Sequence, residues 1–259
     1  MSDLIQLEKR DHIAILTIAN PPANTWTADS LEALTKTVHA LNADQNIYAL
    51  VITGQGEKFF SAGADLKMFA DGDRAVANEM AQRFGEAFSA LTAFRGVSIA
   101  AINGYAMGGG LECALSCDIR IAEEQAQMAL PEASVGLLPC AGGTQNLPWL
   151  VGEGWAKRMI LCGERVKADK ALQIGLVEEV VPAGQALEKA LELAAGACRQ
   201  SPSSIARCKQ LVMSARSGRS HADGWRMERE LFVELFHTED QKEGVNAFLE
   251  KRKPDWKNH

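Results

Sequence analysis

Along the chain, the first regularity is alternation. Ile5 and Leu7 are separated by polar residues, and His12-Ile13-Ala14-Ile15-Leu16-Thr17-Ile18-Ala19 is dense in apolar and β-branched residues. With Lys9-Arg10-Asp11 at the turn, the two runs predict an antiparallel opening pair of strands. Asn20-Pro21-Pro22-Ala23-Asn24 breaks the pattern. From Thr27, with Glu32 shortly after it, the period changes, and Leu31, Leu34, Val38 and Leu41 fall on one face of a helix. Residues 48–53 are wholly apolar apart from the final Thr53, as in a strand buried on both faces. After Gly54-Gln55-Gly56 the segment Phe59-Phe60-Ser61-Ala62-Gly63-Ala64-Asp65-Leu66 reads as a loop. A helix over about 75–94 and a second buried strand over 97–102 follow. Strand, crossover helix and strand imply parallel pairing with right-handed crossovers, hence an α/β fold.

Residues 118–122 and 128–130 read as two further short strands. Beyond Gly143 the pattern turns helical, with short helices at 144–151, 154–162 and 168–174 and a last strand at 177–180. Four helices close the chain, at roughly 183–200, 203–216, 220–236 and 239–252. The change from alternating elements to helix alone divides the chain near residue 195, into a core over 1–195 that carries the site and a helical region over 196–259. A trailing helical layer that cannot bury its own faces packs on another subunit, so a homo-oligomer is expected.

Composition adds bounds to this pattern. The 259 residues are 47% hydrophobic and 23% charged, an ordinary globular mix long enough to bury a sizeable core. A net charge of -6 gives no electrostatic footprint for nucleic acid or an anionic membrane. No apolar run reaches the roughly 18 residues of a membrane span. The first ten residues are too charged for a signal peptide. The six cysteines, Cys113, Cys117, Cys140, Cys162, Cys198 and Cys208, form no Cys-x-x-Cys pair. Most have apolar neighbours and are expected to be buried free thiols in a reducing cytoplasm. The five histidines are scattered without metal-ligand spacing, and no metal is assigned.

The chemistry concentrates between Ala101 and Gly143. An apolar run breaks at Asn103-Gly104, and Gly108, Gly109 and Gly110 follow in succession. Their spacing fits neither a dinucleotide-binding turn nor a P-loop. What remains is a glycine turn entering a helix whose first amides have no intrahelical partner and favour negative charge. Close packing is the alternative use of such glycines. The loop Ser61-Ala62-Gly63-Ala64-Asp65 likewise follows a buried strand, so in a parallel sheet both loops emerge at the carboxyl end. Backbone N–H groups converging from the two would form an oxyanion hole.

Glu112 stands in the apolar run Gly110-Leu111-Glu112-Cys113-Ala114-Leu115, and Glu132 follows Leu130-Pro131. Burial raises the proton affinity of such a carboxyl group or forces pairing, for which Arg120 or Arg158 could serve Glu112. Glu132 could equally be a helix-start acid. Two carboxyl groups at one small site drive their proton affinities apart, so that one acts as acid and the other as base. Amides for an oxyanion beside an acid and a base suit proton transfer at the carbon next to a carbonyl, through an enolate.

These segments resemble the crotonase (enoyl-CoA hydratase/isomerase) superfamily over nearly the whole chain. The resemblance rests on the Asn24 loop, Phe60-Ser61-Ala62-Gly63-Ala64-Asp65-Leu66, and Asn103-Gly104-Tyr105-Ala106-Met107-Gly108-Gly109-Gly110-Leu111-Glu112. It continues through Asp118-Ile119-Arg120-Ile121-Ala122, Pro131-Glu132, Gly142-Gly143-Thr144-Gln145 and the tail Phe248-Leu249-Glu250-Lys251-Arg252. It implies a spiral of ββα units with a helical C-terminal trimerisation region, assembled as a trimer or a dimer of trimers. It also implies acyl-CoA substrates, with coenzyme A as part of the substrate and no separate cofactor. The amides of Ala64 and Gly109 would hold the thioester oxygen. Ala62, Asp65, Leu66 and Lys67 would lie along the coenzyme A moiety, and Lys251 would reach its phosphate, in the same or a neighbouring subunit. Carrying both glutamates favours a 2-enoyl-CoA hydratase of fatty-acid or branched-acid breakdown, in which Glu112 activates water and Glu132 protonates C2. A Δ3-Δ2 enoyl-CoA isomerase is the alternative, and a non-catalytic acyl-CoA- or RNA-binding relative a distant one. Two residues depart from the hydratase pattern: Cys140 stands where glycine is common, close to the water and the acyl group, and Asn146 replaces an arginine.

Overall fold

The computed structural model describes residues 3–259. The opening hairpin forms as expected: β1 (Ile5–Arg10) and β2 (Ile13–Ile18) pair antiparallel, and the turn places Asp11 at φ +49°. Helix α1 (Ala28–Ala43) starts at Thr27, whose side chain accepts from the Ser30 amide while the Ser30 side chain accepts from the Thr27 amide. Glu32 is not part of that cap. It pairs instead with Lys36 and, at 3.2 Å, with Arg83.

From here the chain repeats one unit. Strand β3 (Ala49–Gly54) is followed by the short strand β4 (Phe59–Ser61) and by helix α2 (Arg74–Thr92). Strands β5 (Val97–Ile102) and β6 (Tyr105–Met107) precede helix α3 (Gly109–Leu115). Strands β7 (Ile119–Glu123) and β8 (Gln127–Ala129) precede helix α4 (Gly143–Leu161). In each unit the first strand joins one sheet and the second joins another. The remaining core elements are β9 (Val166–Lys167), α5 (Ala168–Gln173), β10 (Glu179–Val181) and α6 (Ala186–Ala197). The larger sheet therefore has the order β1-β2-β3-β5-β7-β10 and the smaller one β4-β6-β8-β9. Every pairing from β2 to β10 in the larger sheet is parallel.

Period-2 alternation explains why both faces of the larger sheet are covered. Ile13, Ile15, Ala49, Val51, Ile99 and Ala101 face one side and pack on Ala186, Ala190 and Ala194 of α6. Leu16, Ile18, Leu50, Ile52, Ala100 and Ile102 belong to the other cluster, with Leu31, Leu34 and Val38 of α1 and Phe84 and Phe88 of α2.

Four expectations shift. The segment read as a loop after Gly56 contains β4, and β6 was not foreseen. The last strand lies at Glu179–Val181, slightly beyond the expected 177–180. The two short helices expected at 144–162 are the halves of α4, which breaks at Gly152 with φ +77° and ψ 160°. Only Cys113 and Cys117 among the six free cysteines are buried, because an apolar neighbour in sequence does not place a thiol on the inward face.

Helices α7 (Pro202–Ala215), α8 (His221–Glu234) and α9 (Glu239–Leu249) close the chain. Their free end is strapped back. Buried Asp240 accepts from the hydroxyl of Ser203 at 2.8 Å and from the amides of Lys257 and Asn258 at 2.8 and 2.9 Å. Asn258 in turn donates to the Gln45 carbonyl at 2.6 Å and accepts from Arg95 at 3.1 Å. The tail thus fastens near the amino ends of β3 and β5. No helix of the described residues is long and apolar enough to cross a membrane.

Candidate active site

At the carboxyl end of the sheets, two loops meet backbone to backbone. The first leaves β4. Buried Asn24 fixes the entry to that strand, donating to the carbonyls of Gln55 and Phe59 at 3.0 and 2.8 Å. Gly63 adopts φ +90°, a conformation open to glycine at little cost. A Cβ there would lie 2.7 Å from the Met107 carbonyl and 3.2 Å from the Gly109 nitrogen. Ala64 forms a parallel bridge with Trp26, in which the Trp26 amide donates to the Gly63 carbonyl at 2.8 Å and the Asp65 amide to the Trp26 carbonyl at 3.1 Å. In such a bridge the flanking residues make the bonds, so the N–H of Ala64 points away from Trp26.

The second loop leaves β6 and turns at Gly108, φ +52°, into α3. Gly109 is the first residue of that helix, where no carbonyl of the helix can reach its N–H. A Cβ on Gly110 would lie 2.2 Å from the Ser61 carbonyl, so α3 begins directly on the end of β4. The sequence-derived convergence of two amide-bearing loops is present, with Ala64 and Gly109 adjoining across the contact.

Both glutamates arrive at the same place. Glu112 is 2% exposed, and its Oε1 accepts from the amides of Ala141 at 2.8 Å and Gly143 at 2.9 Å. Burial still raises its pKa above the usual carboxylate range, outweighing the opposing pull of the Gly143, Ala141 and Cys140 amides. Neither arginine considered as its partner is one: Arg120 pairs with Glu178, and Arg158 with Glu164 at 2.6 Å.

Glu132 opens a 3₁₀ turn, Glu132–Val135. Among the described residues neither of its buried carboxyl oxygens has a hydrogen-bond partner. Burial first, and the charge of Glu112 after it, push its pKa up to about 7. A Cβ on Gly108 would lie 3.2 Å from Glu132 Oε1, and one on Gly143 would lie 2.9 Å from Glu112 Oε1. The Glu132 carboxyl group is therefore one residue from Gly109. Cys140 follows both acids in sequence and feels both. Its thiol is pushed up to about 11 by desolvation and by the charges of Glu112 and Glu132, although the residue as a whole is exposed.

The expected coenzyme A contacts follow along one rim. Ala62 donates its amide to the Ala23 carbonyl at 2.9 Å, and Asp65 caps the 3₁₀ turn Leu66–Phe69 by accepting from the Lys67 amide at 3.1 Å. Leu66 is 50% exposed, and Lys67 is also exposed. Lys251 lies in the closing region. It is exposed, at φ +57° just beyond α9, and its neighbours in the tail fasten at the opposite end of the sheet. The amides of Ala141 and Gly143 carry no side-chain signal and were not foreseen as partners of Glu112. The sequence signal for Trp26 is a large aromatic between two threonines, just after the breaker loop.

The enoyl-CoA hydratase/isomerase family profile matches residues 8–259. The chain belongs to the enoyl-CoA hydratase/isomerase family. A relative in Escherichia coli (strain K12), 2,3-dehydroadipyl-CoA hydratase, is 41% identical over 258 residues, 99% of each chain. The solved structure of Pseudomonas aeruginosa DspI is 67% identical and superposes with a TM-score of 0.96, over 99% of this chain and 97% of that one. The enoyl-CoA hydratase structure from Bacillus anthracis is 35% identical, with a TM-score of 0.94 over 99% and 100%. The alternating delivery of strands to two sheets is accordingly the crotonase-type spiral of this family. Chemically, the site brings two amide-bearing loops together beside two carboxyl groups held in different environments.

Proposed function

We propose that this enzyme is an enoyl-CoA hydratase, adding water reversibly across the 2,3 double bond of a 2-enoyl-CoA to give a 3-hydroxyacyl-CoA. The observation that carries the proposal is the unlike pair of acids beside the paired amides. Glu112 has one oxygen held by two amides, which leaves the other to accept a proton from water. Glu132, with a pKa of about 7, is half protonated near neutrality. In the hydration direction, Glu112 takes a proton from water as the oxygen bonds to C3. The double-bond electrons pass into the thioester, forming an enolate whose oxygen rests on the N–H groups of Ala64 and Gly109. Glu132 then gives its proton to C2, which restores the carbonyl. One water is consumed, and exchange with solvent returns both acids to their starting states. Each proton transfer contributes on the order of 10²–10⁴-fold.

The coenzyme A moiety would lie along Ala62, Asp65, Leu66 and Lys67, with Lys251 supplied by a neighbouring subunit. That arrangement needs a homo-oligomer, a trimer or a dimer of trimers, built through the region over 196–259. No cofactor takes part. The Cys140 thiol would border the water and the acyl group.

The test is to supply crotonyl-CoA and, separately, a 3-enoyl-CoA, and to follow products by chromatography. Conversion of crotonyl-CoA to 3-hydroxybutyryl-CoA is expected. An inert crotonyl-CoA together with rapid isomerisation of the 3-enoyl thioester would replace hydration with the isomerase reading.

A further inference from the structure

Trp26 touches both amide sources. Its backbone brackets Ala64, accepting from Asp65 at 3.1 Å on one side and donating to the Gly63 carbonyl at 2.8 Å on the other. Its ring reaches the second loop: Cδ1 lies 3.4 Å from the point where a Cβ on Gly109 would sit, beside Phe84 Cε1 at 2.9 Å. Behind it, Phe88 meets the indole edge to face at 5.6 Å and meets Phe84 in the same way at 5.6 Å. The indole is fully buried, and its Nε1 finds no hydrogen-bond acceptor among the described residues. A buried donor without a partner is unfavourable, and an all-carbon side chain would avoid it. A residue retained for its hydrogen bond would be paired. This one is held in place by its shape.

We propose that Trp26 is a positioning residue that fixes the spacing between the amides of Ala64 and Gly109. Its backbone holds the first and its ring buttresses the second. The inference rests on the proposed role of those amides in holding the thioester oxygen. Helix α1, whose N-cap is the adjacent Thr27, anchors Trp26 from outside the site. The ring is thus a rigid strut between a helix start and two loops. Catalytic donors lose effect with small displacements, and removal of one such donor typically lowers kcat about 10²–10³-fold. A strut that only loosens the pair should remove part of that.

The experiment compares wild type with Trp26→Phe, Trp26→Ala and Glu112→Gln. Two readouts are taken: steady-state hydration of crotonyl-CoA, and the infrared carbonyl stretch of bound, thioester-labelled butyryl-CoA, which cannot react. Two amides on the carbonyl oxygen lower that frequency. The shift is expected in wild type and in Glu112→Gln, smaller in Trp26→Phe and smallest in Trp26→Ala. For Trp26→Ala we expect kcat to fall about 10–100-fold with KM changed less than about threefold. Circular dichroism identifies which variants are folded. The inference is overturned if every folded Trp26 variant keeps the full wild-type shift and a kcat within about threefold. No shift in wild type itself would instead remove the amide reading on which the inference rests.

Discussion

Glu132 carries the least satisfied charge in the molecule's site, and its stability signature is specific. Its folded pKa of about 7 stands above the ordinary carboxylate value of 4.5, so between those values the folded state binds more protons than the unfolded chain. Stability is therefore complete below about pH 4.5 and falls as pH rises through 7, by on the order of 2–3 kcal/mol. Glu132→Gln removes this dependence. In thermal unfolding, the variant should gain roughly 5 °C relative to wild type on going from pH 4.5 to pH 8. A constant difference between the two proteins across that range would show that the group is not desolvated. Activity follows the same titration: kcat/KM for hydration should decline above about pH 7 as Glu132 loses its proton. The two acids were legible because a charge in an apolar run must be used or neutralised. What surrounds them was not: the amides of Ala141 and Gly143 are backbone, and the sequence pattern points no more at them than at any other amide.

Elements, rather than residues, bring the amides together. Strands β4 and β6 are only three residues each, and their partners lie far along the chain, so no local alternation marks them, whereas the equally short β8 was visible in the apolar run before Pro131. The longer strands β2, β3 and β5 were legible because they are covered on both faces and are correspondingly apolar. Gly63 is where the two loops are pressed together, at φ +90° with the Met107 carbonyl 2.7 Å from a would-be Cβ. Gly63→Ala should destabilise the fold by roughly 1–3 kcal/mol and lower kcat at least about tenfold. Gly85, inside α2 with nothing within 4 Å of a would-be Cβ, provides the contrast. Gly85→Ala should leave activity intact and add about 0.5–1 kcal/mol. Denaturant midpoints and crotonyl-CoA turnover measure both. Equal behaviour of the two variants would mean that the loop contact does not position the donors.

At the scale of the whole molecule, the alternation of buried strands with crossover helices and the closing helices were readable from periodicity; the strand–strand–helix unit was implied only by the family resemblance, and the second sheet was not readable. The closing region leaves Phe232, Val233, Phe236, Phe248 and Leu249 more than half exposed. The proposed homo-oligomer would give these apolar side chains a surface to pack on. The proposed assembly would offer Lys251, in the tail beyond α9, a route to a neighbour's substrate. Phe236→Asp combined with Phe248→Asp should convert an oligomer into monomers in sedimentation velocity and raise KM more than it lowers kcat. A monomeric wild-type protein with full activity would contradict the assembly.

The most direct measurement is hydration of crotonyl-CoA by Glu112→Gln and Glu132→Gln, each checked for an unchanged fold and coenzyme A binding. Each substitution is expected to lower kcat by about 10²–10⁴-fold, with little change in binding. Near-normal turnover in both variants would contradict the two-acid mechanism.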